Sequence, residues 1–422
     1  MSDRHTTDRP ADRESSWARD TPATGAWKRT DDTARTATPA SARGVELTLA
    51  RHPKPLGGDP VRNYRPTFSL TEMILDNTED APHTLSMKRK PPWLRAKVPG
   101  GEAYKALKRN VDSNALHTVC EEAACPNMGE CWSRGVATIM ILGDTCTRAC
   151  GFCNVKSGRP PVLDRDEPRR VAESLRHMGL KHVVITSVDR DELSDGGAGI
   201  WAETIMRARE ACPGMSIEVL IPDFMGKESS LQMVIDAQPH IIAHNLETVK
   251  RTHPAVRPSA RWERSLEVLR RVKAQGVVAK TGFMVGIGES DAEMLEAMDE
   301  IVEVTSRHDG PRDPRFKGEP DPPGDPCDIV TIGQYLQPTR NHLPIDRWVH
   351  PDTFAWYERE GLRRGLKVVQ SGPLVRSSYL ADAAADRLTN VMNERENGRA
   401  PSPQDAADAA KLRRVNELIG RG

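Results

Sequence analysis

The sequence predicts an α/β fold in which parallel strands are joined by helical crossovers, and two observations predict it. Short β-rich runs stand at 139–142, 183–186, 217–221, 241–244, 281–285 and 329–332, six strands in all. The gaps between them carry residues at helical spacing, at 169–178, 201–212, 231–237, 262–274 and 292–304. Strands and helices in regular alternation call for a parallel sheet, either open and doubly wound or curled into a closed or partial barrel. In each of these arrangements the chemistry gathers at the C-terminal ends of the strands.

The remaining elements follow in chain order. Residues 1–65 are rich in Thr, Arg, Asp, Ala and Pro with little apolar periodicity, a composition that cannot offset the entropy of ordering the backbone, and they predict a disordered extension. Residues 66–135 form a lead-in, in which 90–95 open the ordered part, a short helix is expected near 102–108 and a cysteine-rich segment follows. The α/β domain occupies 136–380. It is interrupted at 309–327 by Pro311, Pro314, Pro320, Pro322, Pro323 and Pro326, which forbid regular structure there and mark a surface insertion. After the sixth strand come a helix near 354–364, the run Val368-Val369 and the segment 372–379, and 381–422 make a polar tail with a helix near its end.

The 422 residues carry 60 Lys+Arg against 60 Asp+Glu, a balance that argues against a general nucleic-acid binder. No run approaches the roughly 18 to 20 apolar residues of a membrane span, and the N-terminus lacks a basic-then-apolar signal layout. Asp3, Asp8, Asp12, Glu14 and Asp20 are too acidic for an organelle transit peptide, so the expected location is the cytoplasm.

Of 8 cysteines, six crowd between Cys120 and Cys153. Of the other two, Cys212 ends a helical pattern, where a small buried hydrophobe is expected, and Cys327 falls in the proline-rich loop. Cys146, Cys150 and Cys153 directly follow the first strand, so one loop can bring three soft thiolates to a strand's C-terminal end, as a metal centre requires. A cubane has four irons, and three cysteines leave one iron open to another ligand, as catalytic zinc sites keep an open position. The competing readings are weaker. Structural zinc closes with four ligands and usually places cysteines in pairs with two intervening residues, whereas these trios have three-then-two and four-then-five intervening residues. Disulfides do not suit an intracellular chain. The i, i+4, i+7 spacing of a buried helical face is broken by Gly151.

The motif Cys-x-x-x-Cys-x-x-Cys, with Phe152 before its last cysteine, resembles the signature of the radical S-adenosylmethionine superfamily. That resemblance implies a partial (β/α)6 TIM-like barrel. It also implies an iron-sulfur cluster whose open iron is chelated by the methionyl amine and carboxylate of S-adenosylmethionine, and which cleaves that cofactor to a deoxyadenosyl radical. The second trio, Cys120, Cys125 and Cys131, looks like the auxiliary-cluster motif that sets the lipoyl synthase family apart. In that family a serine of an Arg-Ser-Ser-Tyr motif is the fourth ligand, which corresponds here to Ser378, with Ser377 as the alternative. A hard alkoxide on a thiophilic cluster is a mismatch, and a weak ligand can leave when the cluster is opened.

The resemblance covers most of residues 90–380 and implies two [4Fe-4S] clusters, the auxiliary one being consumed as sulfur donor to a protein-bound octanoyl chain. The implied partners are octanoylated lipoyl domains of 2-oxoacid dehydrogenases or the glycine-cleavage H protein, an electron donor such as ferredoxin or flavodoxin, and an iron-sulfur carrier that rebuilds the cluster. Arg190 and Asn245, in matching blocks behind strands, and Glu218, within a strand, are nominated with Phe152 as cofactor contacts. The turn Gly286-Ile287-Gly288-Glu289 lacks the third glycine of a dinucleotide loop and is read as a tight turn near cofactor.

Overall fold

The structure is a computed structural model that describes residues 89–95, 100–307 and 325–397, apart from positions 115, 124, 134, 135, 161 and 380. The expected extension 1–65, most of the insertion and the end of the tail lie outside the described residues.

The lead-in contains α1 (Glu102–Ser113), a two-residue strand β1 (His117–Thr118) and two short helices, α2 (Val119–Glu122) and α3 (Met128–Ser133). The Thr118 side chain caps α2 by accepting from the Glu121 amide. The α/β domain then runs through β2 (Thr138–Ile141), the small parallel pair β3 (Thr145–Cys146) and β4 (Lys156–Ser157), α4 (Glu167–Met178), β5 (His182–Ser187), α5 (Ala198–Ala211) and β6 (Ser216–Leu220). It continues with α6 (Glu228–Asp236), β7 (Ile241–Ala243), α7 (His253–Val256), α8 (Trp262–Ala274), β8 (Val278–Val285), α9 (Asp291–Thr305), β9 (Ile329–Gln334), α10 (Pro351–Arg363), β10 (Val368–Gly372) and α11 (Ala381–Asn397).

Eight of these strands form one sheet in the order β1-β2-β5-β6-β7-β8-β9-β10. β1 is antiparallel to β2, and every other pairing in the sheet is parallel. β2 and β10 do not pair, so the sheet stays open, as a partial barrel does. All six predicted strands are present. The structure adds β10, paired residue for residue with β9 from Val368↔Ile329 to Gly372↔Gly333. Only its first two residues are β-branched, and Gln370-Ser371-Gly372 carry no strand signal, which is why the sequence showed a run and not a strand.

One face of the sheet builds the core. Ile139, Ile141, Val183, Ile185, Ile217, Val219, Ile242, Val330 and Ile332 pack against Trp201, Val234, Leu269, Met294 and Phe354 of the covering helices. Burying each such side chain stabilises the fold by about 1.5–3 kcal/mol. At the opposite end from the strands' C-termini, Ala384 and Leu388 of α11 close over Ile241, Ile329 and Val368. The start of the tail is thus a helix that seals the floor of the barrel, and the helix expected near the tail's end lies outside the described residues. Cys327 lies in the irregular segment before β9 as expected, and is fully buried there, its amide donating to Thr305 Oγ1 (2.8 Å) and its thiol to the Ala279 carbonyl (3.3 Å). Among the described residues no helix is long and apolar enough to cross a membrane.

Candidate active site and metal centres

Cys146 ends β3, and Cys150 and Cys153 lie in the loop that returns to β4. This loop is clasped from two sides. The Gly151 amide donates to the Val256 carbonyl, and the Leu343 amide donates back to Gly151 (both 3.0 Å). Leu343 sits so close that a Cβ at Gly151 would lie 2.7 Å from its Cγ. His342 Nε2 is 3.0 Å from the Cys153 carbonyl.

The Cys146 sulfur accepts from the backbone amides of Asp189 (3.2 Å) and Arg148 (3.4 Å). Burial pushes the thiols of Cys146, Cys150 and Cys153 up to about 12, and neighbouring thiols of the trio and Asp189 add to the shift in each case. Three thiols that repel one another's charge in this way share one small volume. At neutral pH they keep their protons until a metal displaces them.

Between these cysteines, Arg148 is the anchor. Its guanidinium donates to both Asp191 oxygens (2.7 and 2.8 Å) and to Asp223 Oδ1 (2.6 Å), while Asp223 Oδ2 takes Arg264 Nε (2.7 Å). Burial alone would raise the Asp223 carboxyl, but Arg148 and Arg264 hold it well below the usual range. The cysteine loop is thus tied to the ends of β5 and β6 and to α8 by buried ion pairs.

The second trio is arranged differently. Cys120 lies in α2, Cys131 in α3 and Cys125 between them, fixed by Cys125 N to Cys120 O (2.9 Å) and Cys131 N to Asn127 O (2.9 Å). A recess of about 280 Å³, counting the part open to solvent, is lined by these three cysteines together with Arg376, Ser378 and Tyr379. Asn127 Nδ2 fastens the two halves by donating to the Leu374 carbonyl (2.6 Å), across 247 positions of sequence. The chain behind Ser378 presses on β9 so closely that a Cβ at Gly333 would run into the Val375 carbonyl. Burial raises the Cys120 thiol, and Cys125 adds to it. Among the described residues no three His, Cys, Asp or Glu side chains converge closely enough for a single metal ion. Thiolates that ligate separate irons of one cubane need not converge in that way.

A family model described as the radical SAM superfamily matches residues 140–301, and one described as the N-terminal domain of lipoyl synthase of that family matches 59–125. Lipoyl synthase from Rubrobacter xylanophilus is 52% identical over 294 residues, covering 69% of this chain and 85% of the relative. The Bacteroides fragilis protein of the same name is 49% identical, covering 70% of this chain and 95% of the relative. A mitochondrial lipoyl synthase of Nematostella vectensis is 48% identical over 69% of this chain and 94% of its own.

This chain belongs to the lipoyl synthase family. It is a radical S-adenosylmethionine sulfurtransferase, and membership implies an iron-sulfur cluster and that cofactor. Against this family frame, the nominated contacts divide. Phe152 packs half-buried on Val256, Ile287, Tyr335 and Leu343 beside the first trio. Asn245 donates to Glu247 Oε1 (3.1 Å), and its own Oδ1 is buried without a hydrogen-bond partner among the described residues, so it is poised for a ligand. Arg190 instead braces the strand ends, bonded to Glu192 Oε1 (2.5 Å) and the Leu142 carbonyl (3.0 Å). Glu218 is held inside the barrel by Lys280 Nζ (2.8 and 3.0 Å), with His182 Nε2 at 3.6 Å.

Residues not singled out from the sequence also take part in the site. Glu247 adopts φ 69°, strained for a residue with a Cβ, and its carboxyl is raised by burial next to Cys150 and Cys153. The only sequence signal for it was its position just past a strand, in a block already marked as matching. Glu289 folds the glycine turn after β8 by accepting from Gly286 N (2.7 Å) and Ile287 N (2.9 Å).

Proposed function

We propose that this chain inserts two sulfur atoms, at carbons six and eight, into an octanoyl group carried on a protein lysine. In this reading Cys146, Cys150 and Cys153 hold the [4Fe-4S] cluster that binds S-adenosylmethionine, and Cys120, Cys125, Cys131 and Ser378 hold a second one that supplies sulfide. The observation that carries the reading is the second recess, where three thiols of one segment and a hydroxyl from the far end of the domain line a single cavity. Ser378, the residue matched to the family's ligand, lines it together with Thr138 and Tyr379. The fit of the first site rests on its donor set of three buried, mutually repelling thiols, which metal binding would relieve of their protons.

When bound, the first cluster supplies the electron that breaks the sulfonium and the second supplies the sulfur. The chain's own residues position and shield this chemistry. Arg148, through Asp191 and Asp223, keeps the first cysteine loop at the strand ends. Phe152, Val256, Ile287 and Tyr335 form a dry wall beside it, which excludes water from a radical. Asn245 and Glu247 present polar atoms toward the same space. Asn127 keeps Ser378's segment against the second trio.

The partners that follow are octanoylated lipoyl domains of 2-oxoacid dehydrogenases or the glycine-cleavage H protein. A ferredoxin- or flavodoxin-like donor and an iron-sulfur carrier that restores the second cluster complete the set. An anaerobic single turnover with an octanoyl-lysyl peptide, a reductant and S-adenosylmethionine tests the reading. Dithiolane product without added sulfide, with loss of one cluster, is the expected result. Deoxyadenosine without any thiolated peptide would overturn the substrate assignment, and product without cluster loss would overturn the sulfur source.

A further inference from the structure

The second recess contains a charged group to which the reading above gives no task. Arg376 lines it in company with Cys125 and Ser378. Its guanidinium is tucked against β9, with Nη1 donating to the Val375 carbonyl (2.6 Å) and lying 3.1 Å from where a Cβ on Gly333 would stand. Near the first trio, Arg148 meets the carboxylates of Asp191 and Asp223, and Arg257 donates to the Asn245 carbonyl. No carboxylate pairs with Arg376 among the described residues, and the ionisable neighbour that favours its charge is the Cys125 thiol. Arg376 is half-buried, and arginine does not give up its proton in proteins. A cation that is partly withdrawn from water gains from an anion beside it.

The recess would receive the complementary deficit. Three thiolates and an alkoxide outweigh the positive charge of a cubane core, so a cluster ligated by Cys120, Cys125, Cys131 and Ser378 is a net anion in a low-dielectric site. We propose that Arg376 is the charge partner of this second cluster, fixing how firmly the cluster is retained and at what potential it is reduced. The inference rests on the two-cluster reading. A cation beside a cluster favours its more negative, reduced form, so Arg376 holds the potential of the second cluster up, charge and hydrogen bonding being among the factors that set such potentials. The first trio has Asp189, Glu247 and Arg257 in its electrostatic surroundings, and Arg148 there is already committed to Asp191 and Asp223. Arg376 lines the second recess and is not among the charges that bear on the first trio's thiols, so its effect falls on the second cluster.

The test uses the full chain, loaded anaerobically, as wild type, Arg376→Gln and Arg376→Lys. Iron and acid-labile sulfide are counted, loss of iron to a chelator is timed, and each cluster's midpoint potential is read by paramagnetic resonance. Added S-adenosylmethionine perturbs the first cluster's signal and so assigns the two. In Arg376→Gln we expect the second cluster's potential to fall and its loss to chelator to quicken several-fold, with the first cluster unmoved. Arg376→Lys, which keeps the charge, lies closer to wild type. An unchanged second potential and chelator resistance in the glutamine variant would overturn the proposal. So would a lysine variant whose second potential falls and whose chelator resistance is lost although the charge is kept, a readout that does not need the glutamine variant to fold. A wild-type chain with a single cluster would remove the two-cluster reading and this inference with it.

Discussion

Cys146, Cys150 and Cys153 reach one place because a single loop carries them, and buried ion pairs hold that loop to neighbouring strands. Cys120, Cys125 and Cys131 meet Ser378 only because the chain returns beside them after the rest of the barrel is complete. The first centre is local in sequence and set among carboxylates. The second is a seam between distant segments, closed by one amide of Asn127 and by close packing at Gly333, with Arg376 as its cation. The difference teaches that the two sites can fail separately, and that the second, where the proposed sulfur donor would sit, is the one that parts when two distant segments separate.

The largest effect is expected where the first centre is broken. Arg148→Ala would leave Asp191 and Asp223 short of their shared cation, and removing one partner of a buried pair costs about 3–5 kcal/mol. Denaturant unfolding should register that loss, with iron lost first from the first site. A variant within 1 kcal/mol of wild type, on the order of a surface pair, would deny the network its anchoring role.

Gly333→Ala addresses the seam. Its new Cβ would strike the Val375 carbonyl, and overpacking of this kind costs roughly 1–3 kcal/mol. We expect about half of the iron to be lost while deoxyadenosine formation persists. Loss of both activities in parallel would mean the two centres are not separable. Ser378→Ala is milder still and should impair sulfur insertion more than cofactor cleavage, and equal loss of both would argue against ligation.

The histidines behind the first centre give a pH dependence. Burial, with Arg257 nearby, lowers His244 from 6.5 to about 3 and His253 from 6.5 to about 4. Below 6.5 the unfolded chain takes up protons that the folded chain refuses, so stability should fall as pH drops from 6.5 through 4 toward 3. Unfolding midpoints measured down that range would contradict this if they rose. The smallest effect is expected remote from both sites: Ser290→Ala removes the capping box of α9, costing about 1 kcal/mol, and leaves both iron counts unchanged.

Much of this organisation was legible in the sequence. The six strands and their crossover helices followed from alternation, and both trios from cysteine spacing. Ser378 came through the family motif and not from any local chemistry, since a lone serine is more often a cap. What stayed hidden was mostly long-range. Arg148 and Asp223 lie 75 positions apart, and no local pattern joins them. β10 is a strand because β9 offers it an edge, and α11 looked polar because few of its residues are needed to close the barrel floor. Cys327 reads as a loop residue from the prolines before it, and what stayed hidden was its full burial in the core.

The account stands on two separate cluster sites, and the variant Cys120→Ala/Cys125→Ala/Cys131→Ala tests this most directly. Loaded anaerobically, the wild-type chain should hold about eight irons and the triple variant about four, all in cubane form. The variant should still cleave S-adenosylmethionine and yield no thiolated product. A wild-type chain with about four irons, or a triple variant that keeps the full count, would contradict it.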